Sequence, residues 1–294
     1  MSTSNEILER EKHDRRWAVP AAAVGGALPL ISTVLQTIAQ RDSPVNLPGL
    51  LLKLKAHSAS LIAGSVLQAL GVAGTGVALA YLFNATRARR PATPRVGMPL
   101  LVASAAVVAV STIAGQIVLL DRSGYFASHG AQTYQEGHDI LSGGAYAVAN
   151  YARLLGGALF GASIVIVALN AMRSGLLTRF MGYLGIFTGA LLVLALLSGG
   201  AGPLGASAGG VIQPFWLLAL AYLFAGRWPN GVPPAWQSGR AEPWPSMQEL
   251  REQREAAAAG GAAASAGPAP AAPVPAGPAP VRPGAARRKR KKRR

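Results

Sequence analysis

Residues 97–120 read GMPLLVASAAVVAVSTIAGQIVLL, an apolar stretch without a charged side chain. A helix needs roughly 20 apolar residues to cross a hydrocarbon core of about 30 Å, so this stretch predicts a membrane-spanning helix. Five further stretches share this character, and together they predict six spans, at about residues 17–39, 58–84, 97–120, 147–172, 180–199 and 207–225. The predicted fold class is an all-α, polytopic membrane protein, a six-transmembrane-helix bundle over residues 17–228.

The Lys and Arg residues between the spans predict how the bundle is oriented, because positive charge near span ends favours the cytoplasm. Twelve lie on one side: Arg10, Lys12, Arg15, Arg16, Arg87, Arg89, Arg90, Arg95, Arg173, Arg179, Arg227 and Arg240. Four lie on the other: Arg41, Lys53, Lys55 and Arg122. We therefore expect both ends of the chain in the cytoplasm (N-in, C-in).

Four segments outside the spans differ from them in composition. Residues 1–16 form a cytoplasmic N-terminal segment, predicted to be helical because Thr3 and Glu6 have capping-box spacing. Ser246 and Glu249 repeat that spacing, so residues 229–255 are a cytoplasmic segment with a short helix. Residues 256–286 are almost only Ala, Pro and Gly, a composition that cannot bury enough apolar surface to fold. They are a predicted disordered linker to the polybasic tail, residues 287–294.

The polybasic tail is the first functional candidate, since it holds half of the net charge of +16. It consists of Arg287, Arg288, Lys289, Arg290, Lys291, Lys292, Arg293 and Arg294. Each cation near anionic lipid contributes about 1 kcal/mol, so the tail is expected to bind anionic lipid. Non-specific contact with RNA, the ribosome or another cytoplasmic polyanion is the open alternative. The tail has no interleaved aromatic side chains on which bases would stack.

A group of polar side chains within the spans is the second candidate. Under the predicted orientation they all lie toward the outer third of the membrane: Gln36, Gln116, Asn150, Arg153 and Gln213. Arg153 is the sole cation within a predicted span. Two interpretations stay open. The group lines an outward-facing pocket of a small-solute or lipid binding or permeation protein, or Arg153 snorkels to lipid phosphate while the amides bond between helices.

Glycine pairs with GxxxG spacing occur in two spans, Gly157 with Gly161 and Gly185 with Gly189. Small residues allow close approach of helices in lipid, where no hydrophobic force drives helices together. The spacing therefore predicts packing within the bundle, and a homo-oligomer formed through these faces is the alternative.

Several classes of chemistry are disfavoured by residues the sequence lacks. It has no cysteine, which excludes disulfides and thiolate catalysis. No Asp, Glu or His lies within a predicted span, which argues against an ion-coupled carrier. Gly161 and Ser163 resemble the GxS motif in span four of rhomboid proteases, but the sixth span has Gln213 and no histidine to serve as base.

Possible metal ligands gather in the long outer loop, but the nine-residue spacing of His129 and His138 matches no standard zinc pattern. The interpretation is a solvated loop. The sequence therefore predicts a non-enzymatic protein without catalytic residues, bound metal or cofactor.

Three stretches carry a resemblance to known proteins: RLLGGALF from residue 153, RSGLLTRFMGYLGIFTG from residue 173, and IQPFWLLALAYLFAGRWP from residue 212. They resemble multi-span membrane proteins of actinobacteria and related high-GC bacteria, a family catalogued as a domain of unknown function. In that family basic residues precede a G-x-x-G helix, as Arg173, Arg179, Gly182 and Gly185 do here. The resemblance covers about a third of the chain. It implies a multi-pass protein of the bacterial plasma (inner) membrane and supplies no catalytic residue.

Overall fold

A computed structural model describes residues 3–39, 41, 46–197, 211–229, 231–242, 251, 252 and 255. The helices in these ranges are α1 (Thr3–Ala39), α2 (Leu47–Ala56), α3 (Ser58–Arg89), α4 (Gly97–Ser128), α5 (Tyr134–Ser142), α6 (Gly144–Arg173), α7 (Arg179–Leu197), α8 (Gln213–Phe224) and α9 (Ala235–Ser238). The described residues contain no strand, which confirms the all-α prediction. The chain divides into two units, Met1–Trp244 and Pro245–Arg294. The nine helices named above belong to the first unit, and the described residues of the second, Arg251, Glu252 and Glu255, are also helical.

Helices α1, α3, α4 and α6 are long and apolar enough to cross a membrane. Helix α7 has 19 residues and α8 has 12, so α8 extends only about 18 Å. Residues 198–210, which overlap the predicted fifth and sixth spans, lie outside the described residues, as do the predicted linker and the polybasic tail. The four long apolar helices make this a membrane-embedded helical protein.

The long helices pack against one another in chain order, α1 on α3, α3 on α4, α4 on α6 and α6 on α7, while α8 returns to α1. At the α1–α3 crossing a Cβ on Gly74 would lie 2.7 Å from the carbonyl oxygen of Ala21, and one on Gly71 would lie 2.5 Å from Pro29. No side chain fits at either position. Glycine thus allows the two backbones to approach closely where lipid supplies no driving force.

The predicted GxxxG glycines lie mostly between helices of this chain. A Cβ on Gly161 of α6 would lie 2.6 Å from the carbonyl oxygen of Gly189 on α7, and the reverse distance is 2.5 Å. Gly185 faces the ring of Trp216 on α8 at 2.6 Å. Gly157 has nothing within 4 Å of the position that a Cβ would take. Three of the four glycines therefore serve contacts inside the bundle.

A second apolar cluster lies at the C-terminal end of α4, where α2 and α5 pack. It is formed by Leu51, Leu54, Leu61, Leu120, Phe126 and Ile140. Helix α5 occupies part of the outer loop that the sequence predicts to be solvated. It begins at Tyr134 and is capped by Thr133, whose side chain accepts a hydrogen bond from the backbone nitrogen of Glu136 at 3.3 Å. The interpretation as a plain loop is incomplete because this helix buries Ile140 against α2 and α4.

Candidate functional site

A buried ion pair joins α1 to α3. Both terminal nitrogens of Arg89 donate to the carboxylate of Glu11, and the bond from Nη2 to Oε2 measures 2.9 Å. The Arg89 side chain is 0% exposed and that of Glu11 is 11% exposed. Such a two-point, charge-assisted contact is strong, and it fixes the orientation of the guanidinium relative to the carboxylate. It also needs further hydrogen bonds, because a charge pair removed from water loses its hydration.

Backbone carbonyls supply those bonds to Arg89. Its Nε and Nη2 donate to the carbonyl oxygen of Ala235 at 3.0 and 2.8 Å, and its Nη1 donates to that of Ala85 at 2.9 Å. Ala235 lies 146 residues further along the chain, in the segment after α8. The Arg89 guanidinium therefore holds three parts of the chain together, with every nitrogen donating at least one hydrogen bond.

Aromatic rings enclose the ion pair. The Trp236 ring centroid lies 5.4 Å from the Arg89 guanidinium carbon, within cation–π range. Tyr81 stacks on Trp236 with a centroid distance of 5.6 Å, and Phe224 meets Tyr81 edge-on at 5.1 Å. We call the set Glu11, Tyr81, Arg89, Phe224, Ala235 and Trp236 the Arg89 cluster. It buries the Arg89 side chain of the pair completely, while Glu11 keeps a small exposed edge that faces the neighbouring cavity.

The chain after α8 packs back onto the bundle through residues 231–242, the docked segment. The indole nitrogen of Trp236 donates to the carbonyl oxygen of Leu176, between α6 and α7, at 2.9 Å. The backbone nitrogen of Glu242 donates to the carbonyl oxygen of Ser174 at 3.3 Å. Gly239 ends α9 with a positive φ of 69°, a conformation that favours glycine, and lies against Ser4 of α1. The docked segment thus contacts α1, α3 and the α6–α7 connection.

A cavity of about 590 Å³ lies beside the Arg89 cluster, between the first turns of α1 and the last turns of α3. We call it the N-terminal cavity. Its charged lining, apart from Glu11, consists of Glu6, Arg10, Asp14, Arg87 and Arg95. Its apolar lining includes Ile7, Tyr81, Ala85, Ala88 and Pro91. The cavity therefore combines positive, negative and apolar surface, which suits an amphiphilic ligand.

The polar residues predicted for the outer third lie apart from this cavity. Arg153 is exposed, and its Nη2 donates to Oδ1 of Asn150, one turn away on α6, at 3.0 Å. Gln36 donates to Ser32 at 2.8 Å, and Gln213 is buried at the start of α8. Nε2 of Gln116 is buried without a hydrogen-bond partner among the described residues. Within that part of the chain, hydrogen bonds join only Asn150 and Arg153 of the five.

Sequence reasoning missed the Arg89 cluster. It counted Arg89 as one of the charges that set orientation and predicted residues 229–255 to be a cytoplasmic segment with a short helix, without a contact to the bundle. One signal was present: Trp236 is a large aromatic residue in a Pro- and Gly-rich stretch, where such a ring needs an apolar surface.

Comparison with protein-family models, with curated proteins and with solved structures gave no match. The fold and the site therefore define this protein by class. It is an all-α, membrane-embedded protein with a buried Arg–Glu pair and an adjoining charged cavity at one end of its helices.

Proposed function

We propose that this is a non-enzymatic, multi-pass protein of the bacterial plasma membrane, with six spans and both ends in the cytoplasm. We further propose that its polybasic tail, residues 287–294, binds anionic lipid headgroups at the inner surface. The actinobacterial resemblance belongs to this proposal. It is supported chiefly by one observation: the segments that carry most of the Lys and Arg residues between and beside the spans meet at one end of the helices.

The contacts that meet there come from every connection predicted to be cytoplasmic except the polybasic tail itself. Glu11 precedes the first predicted span, Arg89 follows the second, Leu176 lies between the fourth and fifth, and Trp236 follows the sixth. Their convergence at one end of the helices is the arrangement expected if an even number of spans separates each pair of these segments. It therefore supports the proposed N-in, C-in arrangement, which the positive charges also indicate.

The reach of the linker favours the membrane surface as the partner of the tail. The docked segment ties the chain to the bundle up to residue 242. We propose that residues 256–286 act as a flexible linker; a coil of 31 residues has an end-to-end distance of about 30 Å. Anionic lipid surrounds the bundle within that distance at high local concentration. At about 1 kcal/mol for each cation, eight cations supply several kcal/mol of attraction.

A fluorescent label tests the tail. The chain has no cysteine, so Ala286→Cys in the full-length protein accepts a single environment-sensitive dye next to the octet. In proteoliposomes that contain phosphatidylglycerol we expect a blue shift that salt reverses, and no shift in phosphatidylcholine. Replacing all eight cations with glutamine should abolish it. Reversing the order of the eight residues should preserve it, because only charge is required.

A response of the dye to added RNA or ribosomes, without a response to phosphatidylglycerol, would refute the lipid proposal and favour the polyanion alternative.

The topology has its own test. Two exposed glutamines, Gln135 on α5 and Gln237 on α9, are matched sites for single cysteines. A membrane-impermeant maleimide should label Gln135→Cys in intact cells and Gln237→Cys only after permeabilisation. Equal labelling in intact cells contradicts the arrangement.

The alternative function, a binding or permeation site around Arg153, has weaker support. An exposed arginine bonded to an amide one turn away suits an interaction with lipid phosphate. Arg153→Ala with an unchanged set of co-purifying ligands and lipids would remove the pocket hypothesis, whereas loss of one defined ligand would revive it.

A further inference from the structure

We propose that the N-terminal cavity binds a phosphate ester that also carries an ammonium group, the chemistry of an ethanolamine phosphate headgroup. This site is separate from the polybasic tail and goes beyond the function proposed above. It rests on the charges that line the cavity, on its apolar floor and on its position along α1 and α3.

The arginines of the cavity differ from Arg89 in being free to bind a ligand. Arg89 is fully committed to Glu11 and to two backbone carbonyls. In the described ranges, by contrast, no hydrogen bond or ion pair engages the guanidinium groups of Arg10, Arg87 or Arg95. These three come from α1, from α3 and from the connection to α4, and all line the same cavity. Guanidinium groups bind phosphate oxygens in a forked geometry, so convergent arginines suit a phosphate.

The carboxylates explain why the phosphate should carry an ammonium group. Glu6, Arg10 and Asp14 are spaced four residues apart on α1 and line the cavity together. Side chains at that spacing lie about 5–6 Å apart at their Cβ atoms. A ligand with only negative charge would meet repulsion from Glu6 and Asp14. A ligand whose phosphate binds Arg10, and whose ammonium group lies one helical turn away beside Glu6 or Asp14, pairs with both the positive and the negative side chains.

One end of the cavity lies at the depth of the headgroup layer, which is about 5–8 Å thick on each side of a bilayer. Asp14, at that end, lies three residues, or about 4.5 Å, before the first predicted span at residue 17. The cavity extends from there to Glu6, another 12 Å or so along the helix, so Arg10 and Glu6 lie beyond that layer on its aqueous side. Ala85 and Ala88 on α3 give the cavity an apolar wall for the glycerol end of a lipid.

Binding measurements on the full-length protein in detergent test the proposal with three probes. Dihexanoyl phosphatidylethanolamine carries the complete headgroup on a short lipid, O-phosphoethanolamine carries it in soluble form, and dihexanoyl phosphatidylglycerol lacks the ammonium. We expect the first to bind more tightly than the third. Tight binding of O-phosphoethanolamine identifies a soluble ligand as the source of the same chemistry, and its weak binding identifies the lipid.

Arginine variants separate this site from general attraction to a positive surface. Arg87→Gln combined with Arg95→Gln should weaken phosphatidylethanolamine binding at least about tenfold, because each removes a charge-assisted hydrogen bond. Arg90→Gln is the matched control, since Arg90 lies in the same basic stretch but does not line the cavity. It should change the Kd less than about twofold. If the double variant unfolds, Arg10→Gln, at an exposed position, replaces it.

Three results would overturn the proposal when measured in the full-length protein with its eight tail cations replaced by glutamine: no binding of either ethanolamine probe, equal weakening by Arg90→Gln, or phosphatidylglycerol binding as tight as phosphatidylethanolamine binding. In that background Asp14→Asn should weaken phosphatidylethanolamine binding while sparing phosphatidylglycerol. Replacing the tail cations should itself leave the phosphatidylethanolamine Kd unchanged and weaken only the phosphatidylglycerol binding that the tail provides. The tail proposal and the cavity proposal therefore fail independently.

Discussion

Removal of the Glu11 carboxylate should destabilise the bundle more than any exposed charge substitution on α1. In Glu11→Ala, Arg89 stays buried with its bonds to Ala85 and Ala235 but without a counter-ion. Two charge-assisted hydrogen bonds are lost, at about 1.5–3 kcal/mol each. Removing one partner of a buried pair typically costs about 3–5 kcal/mol. The first route gives about 3–6 kcal/mol and the second about 3–5 kcal/mol, so we expect a loss of about 3–5 kcal/mol in the free energy of unfolding.

A double-mutant cycle isolates the contribution of the pair. Arg89→Ala removes the same two bonds together with those to Ala85 and Ala235, while Glu11, being 11% exposed, regains some hydration. Combining both substitutions should cost about 2–3 kcal/mol less than the sum of the single losses. Unfolding by sodium dodecyl sulfate in mixed micelles, followed by tryptophan fluorescence, measures each value. Lys12→Ala, at an exposed neighbouring position, is the control, with an expected change below about 0.5 kcal/mol.

The reasoning would be refuted by additive single substitutions, or by a Glu11→Ala protein as stable as the parent within about 0.5 kcal/mol. A second readout separates local from global effects. Arg89→Ala should release the docked segment, so amide hydrogen exchange at residues 235–239 should accelerate in conditions where the helices remain folded. Unchanged exchange there would contradict the role given to the Ala235 carbonyl.

Packing contacts give three further predictions. Trp236→Phe should cost about 1–2 kcal/mol in the free energy of unfolding, because the indole hydrogen bond is lost while most of the ring stays; no change in detergent unfolding would contradict it. Gly161→Ala should cost about 1–3 kcal/mol because its methyl meets a backbone carbonyl, whereas Gly157→Ala, which meets nothing, should be neutral or slightly stabilising in the same unfolding assay. Leu51→Ala should cost about 2–5 kcal/mol by leaving a cavity, and the neighbouring exposed Leu52→Ala much less; equal losses would refute the burial argument.

The long helices could be predicted because a single physical quantity governs them. The thickness of the hydrocarbon core dictates a run of about 20 apolar residues, and such a run is visible in the sequence without knowledge of its neighbours. The predicted stretches 58–84 and 97–120 each begin where α3 and α4 begin. Their ends at Arg89 and Ser128 lie beyond the predicted ones, because a helix continues past the membrane wherever its side chains find partners.

The Arg89 cluster could not be predicted, since it depends on which charges pair. Glu11 and Arg89 are 78 residues apart, in a chain with 28 Lys and Arg residues and 12 Asp and Glu residues. A charge pattern used to orient spans treats each cation as solvated, which is the opposite of the state of Arg89. By contrast, helix α5 could have been predicted from the sequence, because Thr133 and Glu136 have the same capping-box spacing as Thr3 and Glu6.

The long separation between the partners of Arg89 has a consequence for biosynthesis. A ribosome adds about 5–20 residues per second, so Ala235, 146 residues after Arg89, is made about 7–30 s later. Until then the nascent chain has Glu11 and Arg89 but lacks the carbonyl and the indole ring that complete the enclosure. A chain truncated before residue 235 would leave this guanidinium open to water at the end of the helices. Residues 231–242 can therefore complete the enclosure of Arg89 only after α1 to α8 have been synthesised.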